Sequence, residues 1–299
     1  MGQDGGAFSL ALSRVMSEFI PPFTALVIDA EESAGRLLAA RIADMGGRAQ
    51  WLANRQDAFR KFSESHSVDM IFFDPAPYRD VRMVSVELRK HCPTFTYLVA
   101  LRGDAAASPL DPLAQTGANL VIAKPVGAAV LAEAIEDATT LMTMLRILND
   151  PAYDTKSGGG VIAKSAFAQL FLSALDRADR YGEQTFVLEI SLDNLVQIRA
   201  VDGLDTAVTI EANLAHVLTR LRRQSDILGA VEAGAFMLML QRPAYVAEPV
   251  DAALRFADQL VDPALWAAVD VSVPIHIHVR LTELPTGHVH VVHDVVVAR

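Results

Sequence analysis

The chain is short of cysteine, of cations and of long apolar runs, and each shortage removes a class of protein. A single cysteine, Cys92, stands among 299 residues. No intrachain disulfide can form, and a reduced cytoplasm is the expected compartment. Lys and Arg number 26 against 36 Asp and Glu, for a net charge of −10. No basic block interrupts that balance. General binding to nucleic acid or anionic membrane is therefore not expected, because both need clustered Lys and Arg. No apolar run reaches about 18 residues, so no membrane span is expected. The opening MGQDGGAFSL carries an acid and no cationic stretch, which makes a poor secretory signal. What the chain does have is apolar residues in short runs. They make up 52% of it, enough for two domains that each bury a core.

The runs sort by period. Residues 1–22 hold a short amphipathic segment (Leu10, Leu12, Val15, Met16, Phe19) stopped by Pro21-Pro22. Over 23–127, TALVIDA (24–30), DMIFFD (69–74), TYLVAL (96–101) and NLVIA (119–123) read as buried parallel strands, with AQWLA (49–53) a weaker one. Helical patterns lie between them, such as 33–46 with a Ser33 cap and a Gly46 stop. Alternating strand and helix predicts a doubly wound α/β, flavodoxin-like sheet. Residues 126–148 form one long helix with a stripe of Val130, Leu131, Ile135, Ala138, Leu141, Met142, Leu145 and Leu148. The stripe either covers the sheet or serves as a homodimer surface. Residues 128–160 read as helical linker and Gly-rich joint, with 158–160 a flexible Gly-Gly-Gly. Residues 161–299 read as an α+β domain. It has helices near 164–181, 203–223 and 249–261, a strand at 186–192, a hairpin over 227–241, and closing strands 271–281 and 288–298. Its helices are expected on one face of an antiparallel-rich sheet.

Residues 23–127 resemble a response-regulator receiver. Asp29 ends the first strand, Asp74 ends the third, and Lys124-Pro125 follows the fifth in the frame GANLVIAKP. The resemblance implies a pocket of Asp29, Glu31 and Lys124, with Asp74 as phosphoacceptor and Asp29 and Asp74 as Mg²⁺ ligands. Carboxylates at the carboxyl ends of parallel strands converge on one cleft, where a cation and a lysine neutralise phosphoryl oxygens. The sequence departs from the family at three places. The second acid is Ala30 (with Glu31 and Glu32 beyond it), the hydroxyl residue is Ala100, and the switch aromatic is Val121. A pseudo-receiver in which Asp29, Asp74 and Lys124 form a structural ion cluster is the favoured alternative.

Residues 161–299 resemble a degenerate GGDEF domain, a ferredoxin-like, nucleotide-cyclase-like fold. Arg223-Gln224-Ser225-Asp226 is followed by ILGAV and then Glu232-Ala233-Gly234-Ala235-Phe236, in the family's spacing. The first metal Asp is Ser191, the hairpin acids are Gly234 and Ala235, and Glu232 replaces a tip glycine. Arg199 and Val208 fall where guanine-reading residues are expected. Joining two GTP molecules needs a cation held by acids, so no enzyme activity is expected. The resemblance also implies a cyclic di-GMP site at Arg223 and Asp226, in a field thickened by Arg220 and Arg222. Arg255 substitutes there for a family arginine that aligns with Gln259. An Arg–Asp pair three apart also simply stabilises a helix end.

Five of eight histidines fall at 276, 278, 288, 290 and 293. Paired strands would gather four of them, a zinc-like set, but no acid or cysteine stands beside them at ligand spacing, so no metal is expected there. The reading is a catalytically inactive signalling protein, with cyclic di-GMP and Mg²⁺ as candidate ligands. Its partners are expected to be proteins, a histidine kinase or a regulatory target among them. Three outputs stay open: cyclic di-GMP effector, nucleotide-independent scaffold, or regulator phosphorylated on Asp74.

Overall fold

The computed structural model describes residues 22–63, 67–76, 80–92, 94–103, 116–241, 243–267 and 269–297. The segment expected at 1–22 lies outside them, Pro22 excepted. Two compact units divide the chain, Met1–Met142 and Thr143–Arg299.

The first unit runs β1 (Thr24–Ile28), α1 (Glu32–Asp44), β2 (Arg48–Leu52), α2 (Arg55–Ser63), β3 (Met70–Phe73), α3 (Val81–His91), β4 (Tyr97–Arg102), β5 (Leu120–Ala123) and α4 (Ala128–Asn149). The last helix crosses the boundary between the units. All strand pairings are parallel, in the order β2-β1-β3-β4-β5. This is the doubly wound flavodoxin-like order, whose switch point lies between β1 and β3. The expected alternation of strand and helix holds. Leu26, Ile28, Ile71, Phe73, Leu98 and Ala100 share one core with Val84 and Leu88 of α3 and with Phe62 of α2. The helix expected to start at a Ser33 cap begins instead at Glu32, with Glu31 as cap residue. Ser33 lies inside it and donates to the Glu31 carboxylate at 3.1 Å. The Asp29 carboxylate already accepts the Glu31 N–H at 2.9 Å, so the chain is turned into the helix before Ser33 is reached. Of the α4 stripe, Leu131, Ile135, Ala138, Leu141, Leu145 and Leu148 are buried within the chain, and Val130 is exposed.

The second unit runs α5 (Lys164–Tyr181), β6 (Thr185–Leu192), α6 (Leu195–Asp202), α7 (Leu204–Leu221), β7 (Ile227–Glu232), β8 (Ala235–Leu240), α8 (Glu248–Leu260), β9 (Ile275–Leu284) and β10 (Val289–Val297). A short 3₁₀ turn, Pro263–Trp266, precedes β9. The order is β10-β9-β6-β8-β7 with every neighbour antiparallel. Strands β9-β6-β8-β7 are a ferredoxin-like split βαβ arrangement, and β10 adds an edge. The helix expected over 203–223 is α7, and a further short helix, α6, precedes it across Gly203, whose φ of 92° no helix interior accepts. The helices do not all share one face. Even-numbered residues of β6 pack with α7 and α8. On the other face a Cβ on Gly229 would meet the Phe167 ring of α5 at 2.7 Å.

The Gly-Gly-Gly segment, expected as a flexible joint, is a closed turn. Gly158 and Val161 exchange both backbone hydrogen bonds at 2.9 Å around Gly159 and Gly160, which have φ of 59° and 87°. Two successive positive φ values define the type I′ hairpin turn, and glycine takes them without a steric penalty. Arg222 donates to the Gly160 carbonyl at 3.4 Å, tying this turn to the end of α7.

Candidate functional site

The carboxyl ends of β1, β3 and β5 each carry one charged residue a single step past the strand. Asp29 N–H donates to Leu52 O at 3.1 Å, Asp74 N–H to Ile28 O at 2.8 Å, and Lys124 N–H to Arg102 O at 2.7 Å. Backbone ladders thus place all three at the switch-point cleft. Lys124 Nζ bridges the two acids, at 2.5 Å from Asp29 Oδ2 and in contact with Asp74 Oδ2. Burial alone would lower the Lys124 pKa, but hydrogen bonds and charge from Asp29 and Asp74 outweigh it and hold the pKa above its ordinary value. Asp29 is buried, and Asp74 keeps 18% of its side chain exposed.

The sequence-derived pocket is therefore assembled, with one exception. Glu31 contributes only its backbone N–H to Asp29, while its carboxylate faces Ser33. The parallel register pairs Phe73 with Ala100, so the next step sets Leu101 beside Asp74. Neither residue offers the hydroxyl of the receiver pattern. Val121 pairs with Ala100 on β5.

Magnesium asks for a near-octahedral oxygen set. The two carboxylates present four oxygens, and each already has a partner. Asp29 Oδ1 accepts Glu31 N–H, Asp74 Oδ1 accepts Ala76 N–H, and both Oδ2 atoms take Lys124. With Ala30 in place of a third carboxylate, Asp29 and Asp74 are the two side chains that would hold the ion, with water completing its octahedron. Trp51 is a residue the sequence pattern passed over. Its Nε1–H donates to the Asp29 carbonyl at 2.9 Å, and its ring lies against Gly35, where a Cβ would come within 2.2 Å. A lone Trp on the weakest strand was the only signal.

In the second unit the hairpin β7–β8 turns at Ala233-Gly234, as the spacing predicts. Gly234 has φ of 70°, and a Cβ there would lie 2.7 Å from Leu195 Cδ2, so an apolar side chain sits over the tip. Ser191 donates to Asp193 Oδ1 at 2.9 Å. Arg199 and Val208 are both solvent-exposed, on α6 and α7.

Arg223 and Asp226 stand close together, but their side chains have separate partners. Asp226 is buried and accepts the backbone N–H groups of Arg223 and Gln241, each at 3.2 Å. The Arg223 guanidinium pairs with buried Glu248 at the start of α8. The Ala244 N–H first, and then Arg223, hold the Glu248 carboxyl below the usual carboxylate range, and Arg255 adds to this from α8. Glu248 was not anticipated as the partner, although an acid in the first turn of a helix is a common placement. Arg222 donates to Asp226 O at 2.8 Å, and Arg220 is exposed.

The four histidines do not converge. His276 and His278 point away from the core that holds Ile277 and Val279, whereas the His290 ring lies beside Phe186 of that core. Acids do stand near two of them, with Glu283 Oε2 2.7 Å from His290 Nε2. Asp193, His278 and Asp294 place ligand atoms within 4.8 Å of one another.

No family model and no curated protein matches the sequence. Solved structures resemble each unit separately. The GGDEF domain of PA1120 (YfiN or TpbB) from Pseudomonas aeruginosa is 25% identical over 40% of this chain and 70% of its own, with a TM-score of 0.33. A response regulator receiver domain from Clostridium thermocellum is 22% identical over 41% of this chain and 98% of its own, at 0.36. The receiver domain of sensor histidine kinase PA1611 from P. aeruginosa, with magnesium in its cleft, is 21% identical over 40% and 98%, at 0.34.

The chain joins a receiver-like unit to a GGDEF-like unit. The strand orders given above carry that description of fold. Among the described residues no helix is long and apolar enough to cross a membrane.

Proposed function

We propose that this receiver–GGDEF chain is a signalling adaptor that performs no nucleotidyl transfer and acts through protein partners that dock on it. The observation that carries the reading is the hairpin tip. Where the resemblance calls for cation-holding acids, the chain has Ser191, Gly234 and Ala235, and Leu195 covers Gly234. A triphosphate brought to this tip meets an isobutyl group and the Glu232 charge instead of a metal ion. Exposed Val196, Val201, Leu204 and Val208 on α6 and α7 support docking, since apolar surface grouped on adjoining helices marks interaction sites. Incubating the chain with GTP and magnesium or manganese is expected to yield no cyclic dinucleotide by mass spectrometry. Formation of any would overturn the reading.

A second reading, a cyclic di-GMP effector, is favoured by one observation: the Arg223 side chain is 50% exposed and within reach of solvent-borne phosphate or guanine. It stands behind the first because binding would draw Arg223 away from buried Glu248, and Asp226 is already engaged by two backbone donors. Calorimetry with cyclic di-GMP on the wild type and on Arg223→Ala separates the two. Heat from the wild type that the variant loses would promote the effector.

Asp74 is assigned to the ion cluster and not to phosphoryl acceptance, because neither Ala30 nor Leu101 supplies what a phosphoryl group needs beside Lys124. Acetyl phosphate with magnesium is expected to leave the mass of the chain unchanged.

A further inference from the structure

We infer that Asp193, His278 and Asp294 form a site for a divalent first-row transition metal, zinc being the natural probe. The three residues come from three adjoining pieces of the second sheet. His278 pairs with Asp294 across β9–β10 and with Ser191 across β9–β6, and Asp193 lies two residues beyond Ser191. Antiparallel rungs thus set a carboxylate on each side of one imidazole.

The side chains have converged. His278 Nδ1 lies 2.8 Å from Asp294 Oδ1, and the ligand atoms of all three residues fall within 4.8 Å of one another. Ser191 Oγ donates to Asp193 Oδ1 at 2.9 Å, and the Asp193 N–H donates to His276 O at 3.0 Å, so both ends of Asp193 are fixed. Hydrogen bonds of this kind orient metal ligands in known sites.

A His–Asp ion pair would explain two of the three groups, but not the third. A second carboxylate beside the same imidazole brings the set to three ligand atoms, one more than an ion pair uses. One borderline imidazole and two hard carboxylates suit Zn²⁺ or Mn²⁺, and three protein ligands leave a position open to water or to a partner's side chain. The site lies on the sheet face opposite the α7–α8 core, between the central strand β6 and the edge strand β10. A metal there would complete its coordination from outside the chain.

The test is calorimetric titration of zinc chloride into the full chain near neutral pH, with circular dichroism to check that each variant folds. Saturable binding is expected, weakened about tenfold or more in both His278→Ala and Asp193→Asn. His293→Ala, whose ring leaves the opposite side of β10, and Asp258→Asn, exposed on α8, are expected to bind as the wild type does. Asp193→Asn keeps the side-chain shape, so it reports on charge and not on packing. Absence of saturable binding would overturn the site, and so would equal affinity in all four variants.

Discussion

Lys124 shows how one residue determines the state of a whole cleft. Its ammonium lies between a buried and a nearly buried carboxylate, and removing it would leave two like charges facing each other. Breaking a buried pair by deleting one member costs about 3–5 kcal/mol. Lys124→Met is therefore expected to lower the unfolding free energy by about that amount in urea titrations, whereas an exposed pair such as Arg36–Glu32 is worth at most about 1 kcal/mol. The pH dependence has a definite sign. Because the folded chain holds the Lys124 proton more tightly than the unfolded chain does, the cluster stabilises fully below the free lysine value near ~10.4. That stability is lost as pH rises through the higher folded value. Urea midpoints measured through the alkaline range are expected to fall above about pH 10 in the wild type, and to fall less in Lys124→Met.

At the scale of elements, two contacts govern the first unit. Helix α1 meets β2 where Gly35 gives room to Trp51, and the Trp51 N–H in turn holds the Asp29 carbonyl. Gly35→Ala would place a methyl group inside the indole's volume, an overpacking that costs about 1–3 kcal/mol. It is expected to destabilise the chain and to shift Trp51 fluorescence; an unchanged emission spectrum would mean that α1 and β2 adjust without moving the ring. Helix α4 poses the other question. Its stripe reads in sequence as either core or homodimer seam, and most of it is already buried within one chain. Leu141→Ala is accordingly expected to cost about 2–5 kcal/mol of stability with no change of mass in light scattering. A change of mass at preserved stability would make the stripe an oligomer surface instead.

For the molecule as a whole, charge and fold point the same way. A chain of net charge −10, in which Arg223 pairs with Glu248 and Arg222 with carbonyl groups, lacks the clustered free cations that a track for phosphates needs. A labelled DNA duplex is expected to show no anisotropy change with it even at low salt, and binding there would contradict the adaptor reading. The alternation of strand and helix in the first unit and the acids at the ends of β1 and β3 were legible in the sequence. Each of these follows from local periodicity and from residues adjacent to a strand's end, which neighbouring chain segments alone decide. Three features were not legible: the partner of Arg223, the seat of Trp51, and the meeting of Asp193 and Asp294 at His278. These are contacts between residues far apart in sequence. Their distances depend on register and on which face a side chain takes, and a one-residue shift of a strand would reverse that choice. By itself, then, the sequence determined an α/β unit, an α+β unit and a cleft of opposite charges. Only the tertiary structure decided which charges are paired, because pairing is a matter of ångströms across strands and not of order along the chain.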